Sequence, residues 1–172
     1  MPEAPARLLL GIDPGMARTG YGLVRQVRGG EVDLVDFGVI ETEAGDELGR
    51  RLLAIEAGIQ RVLQTYSPES SAVERLFFER NVSTAMSVGQ ARGVALLTLA
   101  RHGLPITEYS PVEIKQAVAG YGSADKRQMQ TMVRTLLRMD ELPRPDDAAD
   151  ALAVAICHAH MSRTRQRMEE AR

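Results

Sequence analysis

The 172-residue sequence has no tryptophan, only 4% aromatic residues and a single cysteine, Cys157. The lone cysteine excludes an internal disulfide framework, which fits a reducing compartment. With so few rings, the core has to rest on Leu, Val, Ile, Ala and Met. No apolar run approaches the length of a membrane span, and the stretch after residue 7 is too short for the apolar core of a signal peptide. A cytoplasmic protein without a membrane association is therefore expected. An excess of positive charge is also missing: the formal net charge is -2. Such a balance does not advertise nucleic-acid binding, yet an acidic site would mask a basic surface in the sum. The placement of charge is more informative. Lys115, Lys126, Arg127, Arg134, Arg138 and Arg144 fall in the second half, and Arg163, Arg165, Arg167 and Arg172 follow. There is no phosphate-binding Walker loop and no nucleophile triad. His158 and His160 lack the i, i+4 spacing of a helical zinc pair.

The sequence is 44% apolar and 26% charged, enough for one substantial core, and its length fits one domain over 1–172. That domain is expected to have a core of about residues 7–162 and a basic tail over 163–172. Residues 7–13 read as a buried strand stopped by Pro14-Gly15. Strands over 20–27 and 32–41 follow, with Arg28-Gly29-Gly30 as a hairpin turn. Apolar residues at helical spacing predict a helix over 46–65, ended by Ser67-Pro68. A short strand over 70–74 leads through a loop to a helix over about 83–102, rich in small residues and stopped by Gly103. A fifth strand over 105–109 precedes a helix opened by Ser110-Pro111. Further helices are expected from about Asp125 to Met139 and from Asp146 to about Arg163. A meander of strands followed by alternating strands and helices predicts an α/β fold. Its five-stranded mixed sheet is flanked by helices on both faces.

Four carboxylates occupy punctuated positions. Asp13 ends the first strand, where Gly11 and Gly15 leave the backbone open to a close ligand. Glu74 ends the strand Ser71-Ala72-Val73-Glu74, where an acid is costly unless it is paired or holds a cation. Asp147 and Asp150 lie three residues apart at the start of the last helix, on one face. Ordinary explanations exist for each: a turn capping its own backbone at Asp13, an ion pair with Arg75 or Arg80 at Glu74, and a helix cap at Asp146 or Asp147. Capping explains Asp150 poorly, because the helix around it is almost wholly apolar. Two strand-end acids and an i, i+3 pair can together surround divalent ions, as phosphodiester hydrolysis requires. Lys115 and Lys126 are candidates for supporting a phosphate, and the Phe77-Phe78 pair after Glu74 for stacking on a base.

Read together, these segments resemble the RuvC-type Holliday junction resolvases. The resemblance rests on Gly11-Ile12-Asp13-Pro14-Gly15 with Thr19-Gly20-Tyr21-Gly22, on Ala72-Val73-Glu74, and on Gly89-Gln90-Ala91-Arg92-Gly93-Val94. It extends through Val112-Glu113-Ile114-Lys115-Gln116, Gly122-Ser123-Ala124-Asp125-Lys126, Met132-Val133-Arg134 and Asp147-Ala148-Ala149-Asp150-Ala151-Leu152-Ala153. It implies a ribonuclease H-like fold and a Mg²⁺-dependent endonuclease that nicks four-way DNA junctions in recombination and repair. The family's catalytic and metal-binding acids fall on Asp13, Glu74, Asp147 and Asp150. Its basic residues at the site fall on Lys115 and Lys126, and its junction-inserted aromatic on Phe77. The resemblance further implies two Mg²⁺ ions per site, with Mn²⁺ as a substitute, a homodimer, and cooperation with the RuvA–RuvB branch-migration complex. Asp146 stands beside Asp147; the Asp-Ala-Ala-Asp spacing favours Asp147. The competing readings are an actin-like or sugar-kinase ATPase fragment, a junction-binding scaffold without catalysis, and a nuclease for RNA–DNA hybrids.

Overall fold

The computed structural model describes the backbone of residues 6–27, 30–76 and 82–170, and their side chains except at 163 and 165–170. The element order is β1 (Arg7–Asp13), β2 (Arg18–Gln26), β3 (Val32–Glu41), α1 (Leu48–Tyr66), β4 (Ser70–Glu74), α2 (Val82–Arg101), β5 (Ile106–Tyr109), α3 (Pro111–Ala119), α4 (Lys126–Leu136) and α5 (Asp146–Glu170). The strands form one sheet in the order β3-β2-β1-β4-β5. β2 runs antiparallel to both β1 and β3, whereas β4 is parallel to β1 and β5 is parallel to β4. The sheet is therefore mixed, with β1 at its centre. That position explains why β1 reads as a continuous apolar run: Leu9, Leu10 and Ile12 are all fully buried.

Side chains alternate across the sheet and divide the core in two. Leu9, Val24, Ala72 and Tyr109 meet α3, α4 and α5 on one face. Leu10, Ile12, Leu23 and Val73 meet α1 and α2 on the other. Helices thus cover both faces, as the element pattern predicts. The same alternation places Asp13 and Glu74, two residues beyond Gly11 and Ala72, on the face covered by α5. Gly11 and Ala72 are themselves partners in the parallel register. The two acids therefore end adjacent strands side by side.

Boundaries follow local chemistry. Ser67 closes α1 in the left-handed region, with φ 49°, and Gly103 stands after α2 with φ 67°. Ser110 and Asp125 each begin a helix with a reciprocal capping box, to Glu113 and Gln128. Two ends differ most from expectation. α4 stops at Leu136 rather than Met139, because Arg138 turns left-handed at φ 54° and donates to Glu31 and Asp33, at 2.6 and 3.1 Å. α5 continues to Glu170, beyond Arg163, since no Gly or Pro interrupts Ser162–Glu170. The backbone of the expected basic tail is thus helical as far as that residue. Of the expected hairpin turn, Arg28 and Gly29 lie outside the described residues.

Candidate active site

The site is built by bringing a helix unusually close to a sheet. Gly11, Gly20 and Gly22 on β1 and β2 face the N-terminal half of α5. A Cβ at Gly11 would run into the Ala151 carbonyl oxygen and lie 2.5 Å from the Ala155 nitrogen. At Gly20 it would meet the Asp147 carbonyl, and at Gly22 it would lie 2.7 Å from the Leu152 nitrogen. These glycines let the α5 backbone rest on the strands themselves. Ala148, Ala149 and Ala151, all buried, keep the helix low. The start of α5 is thereby lowered onto the C-terminal ends of β1 and β4, and Asp147 and Asp150 come over Asp13 and Glu74.

The electrostatics record this convergence. Burial, and then the charges of Asp150, Glu74 and Asp147, push the Asp13 carboxyl up to about 8, with Lys126 opposing. Burial and Asp150 also raise Glu74, against Lys115. Asp150 is raised by burial and by Asp146 and Asp147, with Lys126 opposing. All four predicted acids and both predicted lysines thus act in one electrostatic neighbourhood. Lys126 Nζ lies 3.0 Å from Asp146 Oδ2 and 3.9 Å from Asp150 Oδ2. Asp146 is exposed, accepts from Gln130 at 2.9 Å, and is held below the usual carboxylate range chiefly by its hydrogen bond to Lys126. It is the tether of Lys126, whereas Asp147 adds its charge to the field on Asp13.

Among the described residues, no three acids are drawn together tightly enough to form a ready metal cage. Carboxylates repel each other until a cation lies between them. The donor set nevertheless fits hard divalent ions: it is all oxygen, partly desolvated, and short of positive charge by more than two lysines supply. A cavity of about 350 Å³ opens beside Asp13 and Glu74, walled by Pro14, Leu76, Val88 and Pro111, with Arg75, Thr84 and Arg92 among its polar lining. It leaves room for a phosphate and part of a nucleotide next to the acids.

The chain matches the family model described as "Crossover junction endodeoxyribonuclease RuvC" over residues 9–158. It belongs to the RuvC family. The family's protein from Chloroflexus aggregans is 56% identical over 158 residues, 92% of this chain and 96% of that one. The one from Moorella thermoacetica is 55% identical over 163 residues, 95% and 97% of the two chains. The solved RuvC of Thermus thermophilus, in complex with a Holliday junction substrate, superposes with a TM-score of 0.88 at 37% identity, over 92% of this chain and 96% of that one. The fold is the ribonuclease H-like one that the resemblance implies.

Phe77 and Phe78 lie outside the described residues. Two features of this RuvC chain escaped sequence reasoning. Arg92 reaches from α2 toward Glu74; it was visible only as one letter of the Gly89–Val94 segment. The other is a buried hydrogen-bonded trio on the α5 side of the sheet. Ser70 Oγ lies 2.8 Å from His158 Nε2, and Tyr109 OH lies 3.0 Å from His158 Nδ1. It ties β4, β5 and α5 together. The i, i+2 spacing of His158 and His160 gave no hint of it, since the partners are remote in sequence. Cys157 is core, as expected, with its thiol pushed up to about 12 by burial.

Proposed function

We infer that this chain is a structure-specific endodeoxyribonuclease that resolves Holliday junctions. It makes paired, symmetric, metal-dependent nicks that leave 5′-phosphate and 3′-hydroxyl ends. The observation that carries the inference is the meeting of Asp13, Glu74, Asp147 and Asp150 from β1, β4 and α5 in a chain of this family. A scaffold gains nothing from four acids that repel DNA phosphates. The family match over residues 9–158 argues against an ATPase of the sugar-kinase type.

The residues that would hold two Mg²⁺ ions, or Mn²⁺ in their place, are Asp13, Glu74, Asp147 and Asp150. When bound, the metal supplies a water acidified for attack and neutralises charge on the phosphate and the departing 3′-oxygen. The chain's own residues do the rest. Asp13, whose surroundings favour its protonated form, would release that proton to solvent on taking up a cation. Lys126, held at the rim by Asp146, and Lys115, beside Glu74, stabilise negative charge on the phosphate. The walls of the adjoining cavity limit the path of the strand. Phe77 follows Glu74 closely in sequence and stacks on a junction base.

A two-fold homodimer matches the two equivalent strands of a junction. Helix α2 is the proposed interface, supported by the exposure of Val82, Met86 and Leu97 on it. The RuvA–RuvB branch-migration complex is the proposed partner, and the whole chain acts as one nuclease domain in the cytoplasm. Among the described residues no helix is long and apolar enough to cross a membrane.

The test is cleavage of a labelled four-way junction beside a linear duplex and an RNA–DNA hybrid, with and without Mg²⁺. Paired nicks on the junction alone are expected; cutting of the hybrid alone would transfer the chain to another nuclease class. Lys126→Ala and Lys115→Ala are each expected to slow cutting by about 10- to 100-fold, read as single-turnover rates. Phe77→Ala is expected to reduce cutting more than junction affinity; equal rates for variant and parent would return that ring to the core.

A further inference from the structure

Arg92 extends from α2 to the ends of β4 and β5. Its guanidinium forms an ion pair with Glu108 of β5. Its Nε donates to the main-chain oxygen of Glu74 over a long 3.5 Å. The side chain is only 16% exposed, and burial, with Arg75 nearby, lowers its pKa. Placing a desolvated guanidinium beside another cation is unfavourable unless its partners hold it there. The position is also particular. Arg92 lines the cavity that Asp13 and Glu74 share, and it touches the backbone of the residue that carries one of the four acids.

Glu74 needs such support. It is the last residue of β4, half-buried at the edge of the acid cluster. Immediately beyond it, the Arg75 amide donates to the Tyr109 carbonyl at 2.7 Å, extending the β4–β5 pairing by one rung. The Arg92 guanidinium joins the same strand end to Glu108 from the opposite face of the sheet. A carboxylate at a strand end swings outward under repulsion unless its main chain is fixed.

We propose that Arg92 is a positioning residue: by clamping the end of β4 to Glu108, it holds the Glu74 carboxylate within the acid cluster and so sets the cluster's affinity for divalent cations. The proposal rests on the reading of the four acids as a metal site. It assigns Arg92 no contact with the reacting atoms. Groups that orient metal ligands from behind typically change metal affinity or activity by about 10- to 100-fold when removed.

The experiment uses the full chain with Arg92→Gln, Arg92→Lys and Glu108→Gln. Four quantities are measured: Mn²⁺ affinity of the protein alone, from the resonance of free Mn²⁺; thermal midpoint; junction affinity in Ca²⁺; and cutting rate against Mg²⁺ concentration. Arg92→Gln is expected to weaken Mn²⁺ binding, and to raise the Mg²⁺ needed for half-maximal cutting, by about tenfold or more, with junction affinity unchanged. Glu108→Gln should move both in the same direction by less, and Arg92→Lys, which keeps the charge but loses the fork, should fall between. If Arg92→Gln does not fold, the other two variants decide. Unchanged Mn²⁺ affinity with a lowered thermal midpoint would make Arg92 a plain strut between α2 and β5 and overturn the proposal. Junction affinity falling in step with cutting would make it a DNA contact and overturn it equally. A parent chain that binds Mn²⁺ but cuts no junction would defeat the resolvase reading instead, and Mn²⁺ affinity alone would then judge Arg92.

Discussion

Asp13→Asn is expected to abolish junction cutting, by about a thousandfold or more, to leave junction binding intact, and to stabilise the chain when no divalent ion is present. The three effects have one cause. Asp13 is half-buried among Glu74, Asp147 and Asp150, and desolvation and their charges push its carboxyl up to about 8. Between roughly pH 4, where an unfolded aspartate ionises, and about pH 8, the folded metal-free chain keeps a proton that the unfolded chain has lost. The folded state is the one that binds more protons, so stability falls as pH rises through that window, and the full penalty applies above it. Asparagine carries no charge and escapes the penalty. At pH 8.5 to 9 the variant should exceed the parent by about 2 kcal/mol, less than the whole displacement implies because the carboxylates spread and admit water. Near pH 4 the two should converge. Added Mg²⁺ should stabilise the parent and not the variant. For the same reason, cutting by the parent should rise with pH toward 8 as Asp13 loses its proton more readily to the cation. Denaturant melts across pH check the stability; junction assays check the rest. A variant that melts early and loses junction binding would make Asp13 a structural turn residue.

Gly11→Ala should have the second large effect. The substitution adds a single methyl group, but that methyl would run into the backbone oxygen of Ala151. No rotamer change relieves a clash with a helix backbone, so α5 must lift or β1 must bend. A cost of about 3 kcal/mol or more is expected, read as a shifted denaturation midpoint. Cutting should fall further than stability alone explains, because lifting α5 carries Asp147 and Asp150 away from Asp13 and Glu74. Gly45→Ala is the matched control: it lies in the turn before α1, and an added Cβ there meets nothing within 4 Å, so both stability and cutting should stay near the parent's. A Gly11→Ala chain with parental activity would mean that the close seat of α5 is not what assembles the acids.

These two residues also show what was legible before folding. β1, β3 and β4 run over the predicted 7–13, 32–41 and 70–74, because short apolar runs bounded by turn residues leave little choice. Asp13 and Glu74 could be singled out because an acid at the end of a buried strand breaks its own pattern. Asp150 stood out for the same reason on an apolar helix. The purpose of Gly11, Gly20 and Gly22 was only partly legible. Gly11, with Gly15, looked like an opening for a ligand, whereas Gly11, Gly20 and Gly22 proved to be the bed of α5. That distinction depends on which helix lies over the sheet, information that no local window contains. Arg138, which ends α4 by reaching Glu31 and Asp33 more than a hundred residues away, was hidden for the same reason. So was the Ser70–His158–Tyr109 trio. Asp146 could be separated from Asp147 only by spacing; the fold adds that Asp146 faces Lys126 and Gln130.

Whether the four acids hold metal is read from diffraction by crystals of the junction-bound chain soaked in Mn²⁺, recorded at the manganese absorption edge. Two anomalous peaks are expected within coordination distance of Asp13, shared out among Glu74, Asp147 and Asp150. Peaks held by Asp146 instead, or none at Asp13, would contradict that assignment.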